Sequence, residues 1–158
     1  MKKISWLISL IIFLGVFSSC LKNEICSPIA VELQAGIYTY AETDGIIDTV
    51  ATKIDIDSIF GISNENNNLL INASNTELIS FPLNDSINKS SFVLNFGLIK
   101  DTIHFTYDKH LLFRSVKCGV SYTYTITDID YTTNFLQDII LSNPEIDVIS
   151  TENIQLVF

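Results

Sequence analysis

The chain has 158 residues, 47% of them apolar, with 18 acidic against 9 basic side chains and a formal net charge of −9 at pH 7. That apolar share excludes a disordered chain. The acidity argues against a nucleic-acid binder, whose affinity comes largely from neutralising phosphates, and against a basic membrane-surface patch; it reads instead as a solvated face.

In chain order, Lys2 and Lys3 form a short positive head, Ile4 to Phe17 are almost all apolar, and Ser18, Ser19 and Cys20 follow. A charged head, a short apolar run and small residues at a cleavage point describe a secretory signal. A spanning helix is disfavoured, because the run would cover roughly 21 Å against a hydrocarbon core of about 30 Å. Phe17-Ser18-Ser19-Cys20 resembles the bacterial lipobox, with Phe where Leu is usual. The resemblance implies a diacylglycerol on the Cys20 thiol, cleavage before it and acylation of the new amino group. Several acyl chains, at about 0.8 kcal/mol per buried methylene, make an anchor that does not readily leave the bilayer. Leu21 is not the Asp that retains such proteins in the inner membrane of well-studied Gram-negative systems, so the outer membrane is favoured. An ordinary signal peptide with an incidental Cys20 is the alternative.

Removing residues 1–19 takes away two lysines and no acid, which moves the balance from −9 to −11. Three cysteines in an exported chain leave one unpaired. With lipid on Cys20, Cys26 and Cys118 become an even pair in an oxidising compartment. A disulfide between them would staple the start of the domain to the sheet, the alternative being two buried free thiols.

From residue 30 onward the pattern is alternation at period two, the mark of half-buried strands. Expected strands are Val31–Tyr40, Thr52–Ile56, Asn68–Asn72 and Leu78–Leu83. In the next, Phe92, Leu94, Phe96 and Leu98 share a face. Ile103, Phe105 and Tyr107 then oppose Thr102, His104 and Thr106, with Asp108-Lys109-His110 read as a turn. Val120, Tyr122, Tyr124 and Ile126 oppose Ser121, Thr123, Thr125 and Thr127, and Ile154–Phe158 closes the chain. Thr43-Asp44-Gly45, residues 64–68 and Asn84-Asp85 supply turn chemistry. Residues 132–144 have apolar positions at helical spacing, but read better as a strand or loop ended by Asn143-Pro144.

The lipobox, Cys26-Ser27-Pro28, Pro82-Leu83-Asn84, Asp101–Tyr107, Lys117-Cys118-Gly119 and a terminal apolar strand occur in that order. Together they resemble the short outer-membrane lipoproteins of Bacteroidota grouped only as a domain of unknown function. The resemblance covers nearly all of the mature chain. It implies a compact β domain tethered at the outer membrane, and it brings no catalytic residues.

Candidate chemistry is sparse. His104 and His110 lack the three or four convergent ligands of a metal centre, so no metal site is assigned. No Gly-x-Ser-x-Gly elbow or glycine-rich phosphate loop is present. Asp55-x-Asp57 and Asp128-x-Asp130 place carboxylates on one strand face, where each pair could contribute to a Ca²⁺ site; acids on a solvated face are the plainer reading. Tyr38, Tyr40, Tyr107, Tyr122, Tyr124 and Tyr131 could build a sugar-stacking platform, although core packing suits Tyr122 and Tyr124 better. Phe158 as the last residue of an outer-membrane barrel is disfavoured by strand length. Four tripeptides, each Asp, hydroxyl residue, aliphatic residue, resemble the acceptor motif of O-glycosylation in Bacteroidota, at Thr49, Ser58, Ser86 and Thr102.

The expectation is an all-β chain forming one antiparallel β-sandwich, Ig-like in general architecture. Residues 1–19 are the lipoprotein signal peptide, 20–29 the lipidated Cys and a short tether, and 30–158 the sandwich. The expected role is a non-catalytic binding or structural domain without cofactor, held at the outer membrane by lipid on Cys20, whose partner is an envelope protein or glycan. The alternatives are a small envelope hydrolase or Ca²⁺-dependent binder using Asp55/Asp57 or Asp108/His110, and a surface-fibre subunit whose C-terminal strand is an exposed edge.

Overall fold

The computed structural model describes Cys26 and residues 31–62, 68–149 and 151–158. The expected signal segment 1–19 and Cys20 lie outside the described residues, as does most of the expected 20–29 tether. Every regular element among the described residues is a strand. In chain order they are β1 (Glu32–Thr43), β2 (Ile46–Ala51), β3 (Ile54–Gly61), β4 (Asn68–Thr76), β5 (Leu78–Pro82), β6 (Lys89–Phe96), β7 (Ile99–Ser115), β8 (Gly119–Tyr131), β9 (Asp138–Leu141), β10 (Glu145–Ile146) and β11 (Glu152–Val157).

Two sheets face each other as a sandwich. One runs β2-β1-β11-β9, with β5 also paired to β1; the other runs β10-β8-β7-β6-β3-β4. All pairs are antiparallel except β1 with β11. Turn chemistry sets the hairpins. Asp44 and Gly45 both have positive φ, 54° and 78°, the requirement of the two-residue turn whose twist matches its flanking strands.

Alternation fills the space between the sheets. Leu33, Ala35 and Ile37 of β1, Ile79 and Phe81 of β5, and Ile154 and Leu156 of β11 point inward from one side. Ile56, Ile59, Phe92, Leu94, Ile103, Phe105, Tyr107, Tyr124 and Ile126 point inward from the other. Phe81 bridges the layers, with its ring centroid 4.9 Å from Phe92 and 5.5 Å from Phe105. A second ring cluster, Phe96, Phe135 and Phe158, packs with centroids 4.8 to 5.6 Å apart.

Five expectations change. The strand expected at Thr52–Ile56 starts only at Ile54, after β2 has ended at Ala51. Val120, expected on the apolar face with Tyr124 and Ile126, is exposed beyond the edge of the core. The strand that carries Asp101, β7, does not turn at Asp108-Lys109-His110 but continues to Ser115, because β8 offers paired partners from Ile103 to Ser115. Leu98 leaves the core face and is exposed in the β6–β7 turn. The C-terminal strand is not a sheet edge. β11 lies between β1 and β9 and bonds to both, so it offers no free edge for a fibre contact.

Candidate functional site

The first feature is covalent. Cys26 and Cys118 form a disulfide, with Cα atoms 5.3 Å apart across 92 positions of sequence. Cys118 lies in the turn joining β7 to β8, just before Gly119. Its N–H donates to Ser115 Oγ at 3.1 Å. The disulfide therefore ties the chain's entry to the tip of the longest hairpin, and Cys26 follows Cys20 by only six residues.

The paired acids do not converge. Asp55 and Asp57 are exposed on β3, and Asp55 Oδ1 accepts from the Asn75 N–H at 2.9 Å. Asp108 is exposed on β7, as is His110, whose Nε2 is hydrogen-bonded to Thr125 Oγ1 at 3.0 Å. Asp128 and Asp130 are exposed on β8. Among the described residues no three His, Cys, Asp or Glu side chains stand close enough to share a metal ion.

Sequence reading missed one juxtaposition. Ser91 of β6 pairs with His104 of β7, and His104 pairs with Asp130 of β8, so three neighbouring strands carry Ser, His and Asp side by side. Ser91 Oγ and His104 Nδ1 are hydrogen-bonded at 2.6 Å. A nucleophilic triad also needs N–H donors aimed at a developing oxyanion. Here the neighbouring strands are paired along this stretch. Pairing register, invisible to local patterns, is the signal that would have found this row.

The tyrosines divide between packing and structural hydrogen bonds. Tyr107 is fully buried; its hydroxyl accepts from Asn84 N–H at 2.8 Å and meets Ser90 Oγ at 2.9 Å. Tyr124 packs edge-on against Tyr107, centroids 5.2 Å apart. Tyr131 and Tyr40 donate to the two oxygens of Asp138 at 2.7 and 2.9 Å, joining β8 of one sheet to β1 and β9 of the other. Those hydroxyls, Tyr131 first, hold the Asp138 carboxyl below the usual carboxylate range. Tyr38 donates to both oxygens of Glu152 at 3.1 Å. This pair needs Gly36, because a Cβ there would overlap the Glu152 carboxylate and crowd the Tyr38 ring.

Among the described residues, two shallow clefts stand out. One, of about 390 Å³, is bordered by Tyr38, Glu152 and the Lys53–Glu77 ion pair. The other, of about 360 Å³, lies where Val120, Tyr122 and Tyr124 of β8 meet Val31, Glu32 and Leu83.

The four hydroxyl motifs fall in different settings. Thr49 is half-buried on β2 and donates to Gln155 Oε1 at 3.0 Å. Ser58 is half-buried on β3 and accepts from Asn95 Nδ2 at 3.3 Å. Thr102 is half-buried on β7 beside a fully buried Asp101. Ser86 alone among the four is exposed in a loop. There Asn84 Oδ1 accepts from the N–H groups of Ser86 and Ile87 at 2.8 and 3.2 Å, an Asx turn that presents the Ser86 side chain outward.

Comparison with known proteins gives one match. The family model described as a family of unknown function, DUF6452, covers residues 57–158, from within β3 to the last residue. No curated protein and no solved structure matches the chain.

Proposed function

The chain belongs to DUF6452, a family of unknown function, and from that premise we propose that it is a lipid-anchored protein of the outer membrane whose β-sandwich is a non-catalytic binding or structural domain. The observation that carries the reading is the sequence Phe17-Ser18-Ser19-Cys20 behind a charged head and a short apolar run. The Cys26–Cys118 disulfide supports it, since such bonds persist in oxidising compartments. One further observation favours binding over catalysis: the acid pairs singled out from the sequence, Asp55/Asp57 on β3 and Asp128/Asp130 on β8, are exposed on two strands that are not neighbours in their sheet. The partner is an envelope protein or glycan.

The decisive experiment follows the acyl chains. Radiolabelled fatty acid is expected on the wild-type protein, with a mature mass starting at an acylated Cys20. Cys20→Ala is expected to accumulate as unlabelled precursor. Equal label in both proteins would reject the anchor.

A further inference from the structure

The net acidity of the chain hides a segregation. From Lys109 to Thr127 the sequence contains Lys109, Arg114 and Lys117 and no Asp or Glu. With residues 1–19 removed, the whole carries −11, so this stretch holds +3 and the remainder −14. The fold gathers the stretch into one feature, the far end of the β7–β8 hairpin.

That hairpin outgrows the sandwich. The inward face of β7 is fully buried at Ile103, Phe105 and Tyr107, but farther along the strand the apolar positions emerge: Leu111 is 69% and Phe113 66% exposed. Phe113 stands opposite Val120, 58% exposed, and Val116 in the turn is 97% exposed. Beyond Tyr107 the strand runs about 26 Å to Ser115, at about 3.3 Å per residue. Acids border the stretch at its base: Glu145 accepts from Thr125 Oγ1 at 3.0 Å, Glu32 and Asp85 line the cleft beside Tyr122 and Tyr124, and Asp108 precedes the segment; in the tether, Glu24 is offset by Lys22.

We infer that the β7–β8 tip lies against the membrane that anchors the chain, Arg114 meeting anionic phospholipid headgroups and Leu111, Phe113, Val116 and Val120 entering the headgroup layer, while Lys109 stays bonded to the Asp85 carbonyl at the base. This rests on the reading of Cys20 as the lipid anchor. Tether length adds a constraint beyond charge complementarity. Cys26 is bonded to Cys118 at the tip, and the six residues from Cys20 to Cys26 reach at most about 20 Å. The tip is therefore the part of the domain held nearest the lipid, while the acidic remainder is repelled from an anionic surface. Cationic and apolar side chains together are what an interfacial contact uses.

The test uses a property of the composition: Trp6 is the one tryptophan, and it precedes Cys20. Phe113→Trp in the mature chain thus gives a single indole at the tip. Protein is coupled through the Cys20 thiol to maleimide-headgroup lipids in vesicles of phosphatidylcholine, with or without phosphatidylglycerol. On the anionic vesicles the indole emission is expected to shift to the blue and to be quenched by brominated acyl chains. Arg114→Glu is expected to weaken both effects while the disulfide and the β-sheet circular dichroism persist. Ile47→Trp, in the opposite β1–β2 hairpin, serves as a second reporter and is expected to stay solvent-like. Solvent-like emission from Phe113→Trp on anionic vesicles would overturn the inference, as would equal quenching of both reporters. So would a blue shift that grows with protein concentration without vesicles, which would mean that a second copy covers the face. The chemical tether separates the two readings: an unacylated Cys20 in the exported protein defeats the anchor, whereas a solvent-like indole on tethered protein defeats the docked tip.

Discussion

The Asp101 carboxylate of β7 accepts a hydrogen bond from the Leu136 N–H at 2.9 Å, across 35 positions of sequence. The same carboxylate accepts from Phe135 N–H at 2.8 Å, Asn134 N–H at 2.7 Å and Thr132 Oγ1 at 2.8 Å. One buried acid thus organises the loop between β8 and β9 and fixes Phe135 and Leu136, which pack beside Phe96 and in the core. Asp101→Asn keeps the shape but turns an amide N–H₂ toward groups that are themselves donors. Because losing a charge-assisted bond and leaving a buried donor unpaired each cost about 1–3 kcal/mol, a loss of about 3 kcal/mol in urea unfolding is expected. An unchanged midpoint would mean that the loop holds itself.

Stability should form a plateau bounded by carboxylates and tyrosines. Burial pushes the Asp101 carboxyl up, but the hydrogen bonds from Leu136, Asn134, Thr132 and Phe135 outweigh it and leave it below the ordinary range. Asp138 is also lowered, by Tyr131 and Tyr40. For both groups the stabilisation is present above the unfolded-state value of about 3.9 and is lost as pH falls through the folded values. Burial raises Tyr107 and Tyr124, and the bond to Asp138 raises Tyr131. Their contribution is complete below an unfolded-state value of about 10 and is lost as pH rises through the raised folded values. Urea midpoints measured against pH should be flat between about 5 and 9 and fall on both sides. A midpoint constant down to pH 2 would contradict the acid arm.

Reduction of Cys26–Cys118 should lower stability without dissolving the fold. Opening a closed loop of 92 positions costs up to about 4.6 kcal/mol in the chain-entropy account. Because the bond sits at the hairpin tip, amide exchange should accelerate most between Lys109 and Tyr122 and least in β3 and β6. Recovery of both cysteines as alkylated thiols from unreduced exported protein would reject the bond.

If the chain is O-glycosylated, the structure favours one acceptor. Attachment needs an accessible hydroxyl on backbone that a transferase can engage; Ser58 and Thr102 lie on strands flanked by neighbours on both sides, and Thr49, on the edge strand β2, has its half-buried hydroxyl bonded to Gln155. Ser86 in its Asx-turn loop meets that need best. Ser86→Ala is expected to remove the glycan mass from the intact protein, whereas Thr49→Val, Ser58→Ala and Thr102→Val are not. A glycan that persists in Ser86→Ala would refute the assignment.

The sequence by itself determined the all-β class, the inward positions Phe92, Leu94, Ile103, Phe105, Tyr107, Tyr124 and Ile126 and, once Cys20 is taken as lipidated, the pairing of Cys26 with Cys118. Period-two alternation, turn residues and cysteine parity are local or countable properties, and each can be read without knowing which strand lies beside which. Only the tertiary structure decided the rest. Whether Asp101-Thr102-Ile103 is a surface motif or a buried clamp depends on where Thr132 to Leu136 come to lie. The strand through His110 depends on the length of its partner β8, and the interior place of β11 depends on its parallel pairing with β1. Hydrogen bonds across tens of positions form because the sheets bring those groups together out of water, where an unpaired carboxylate or N–H is too costly to leave.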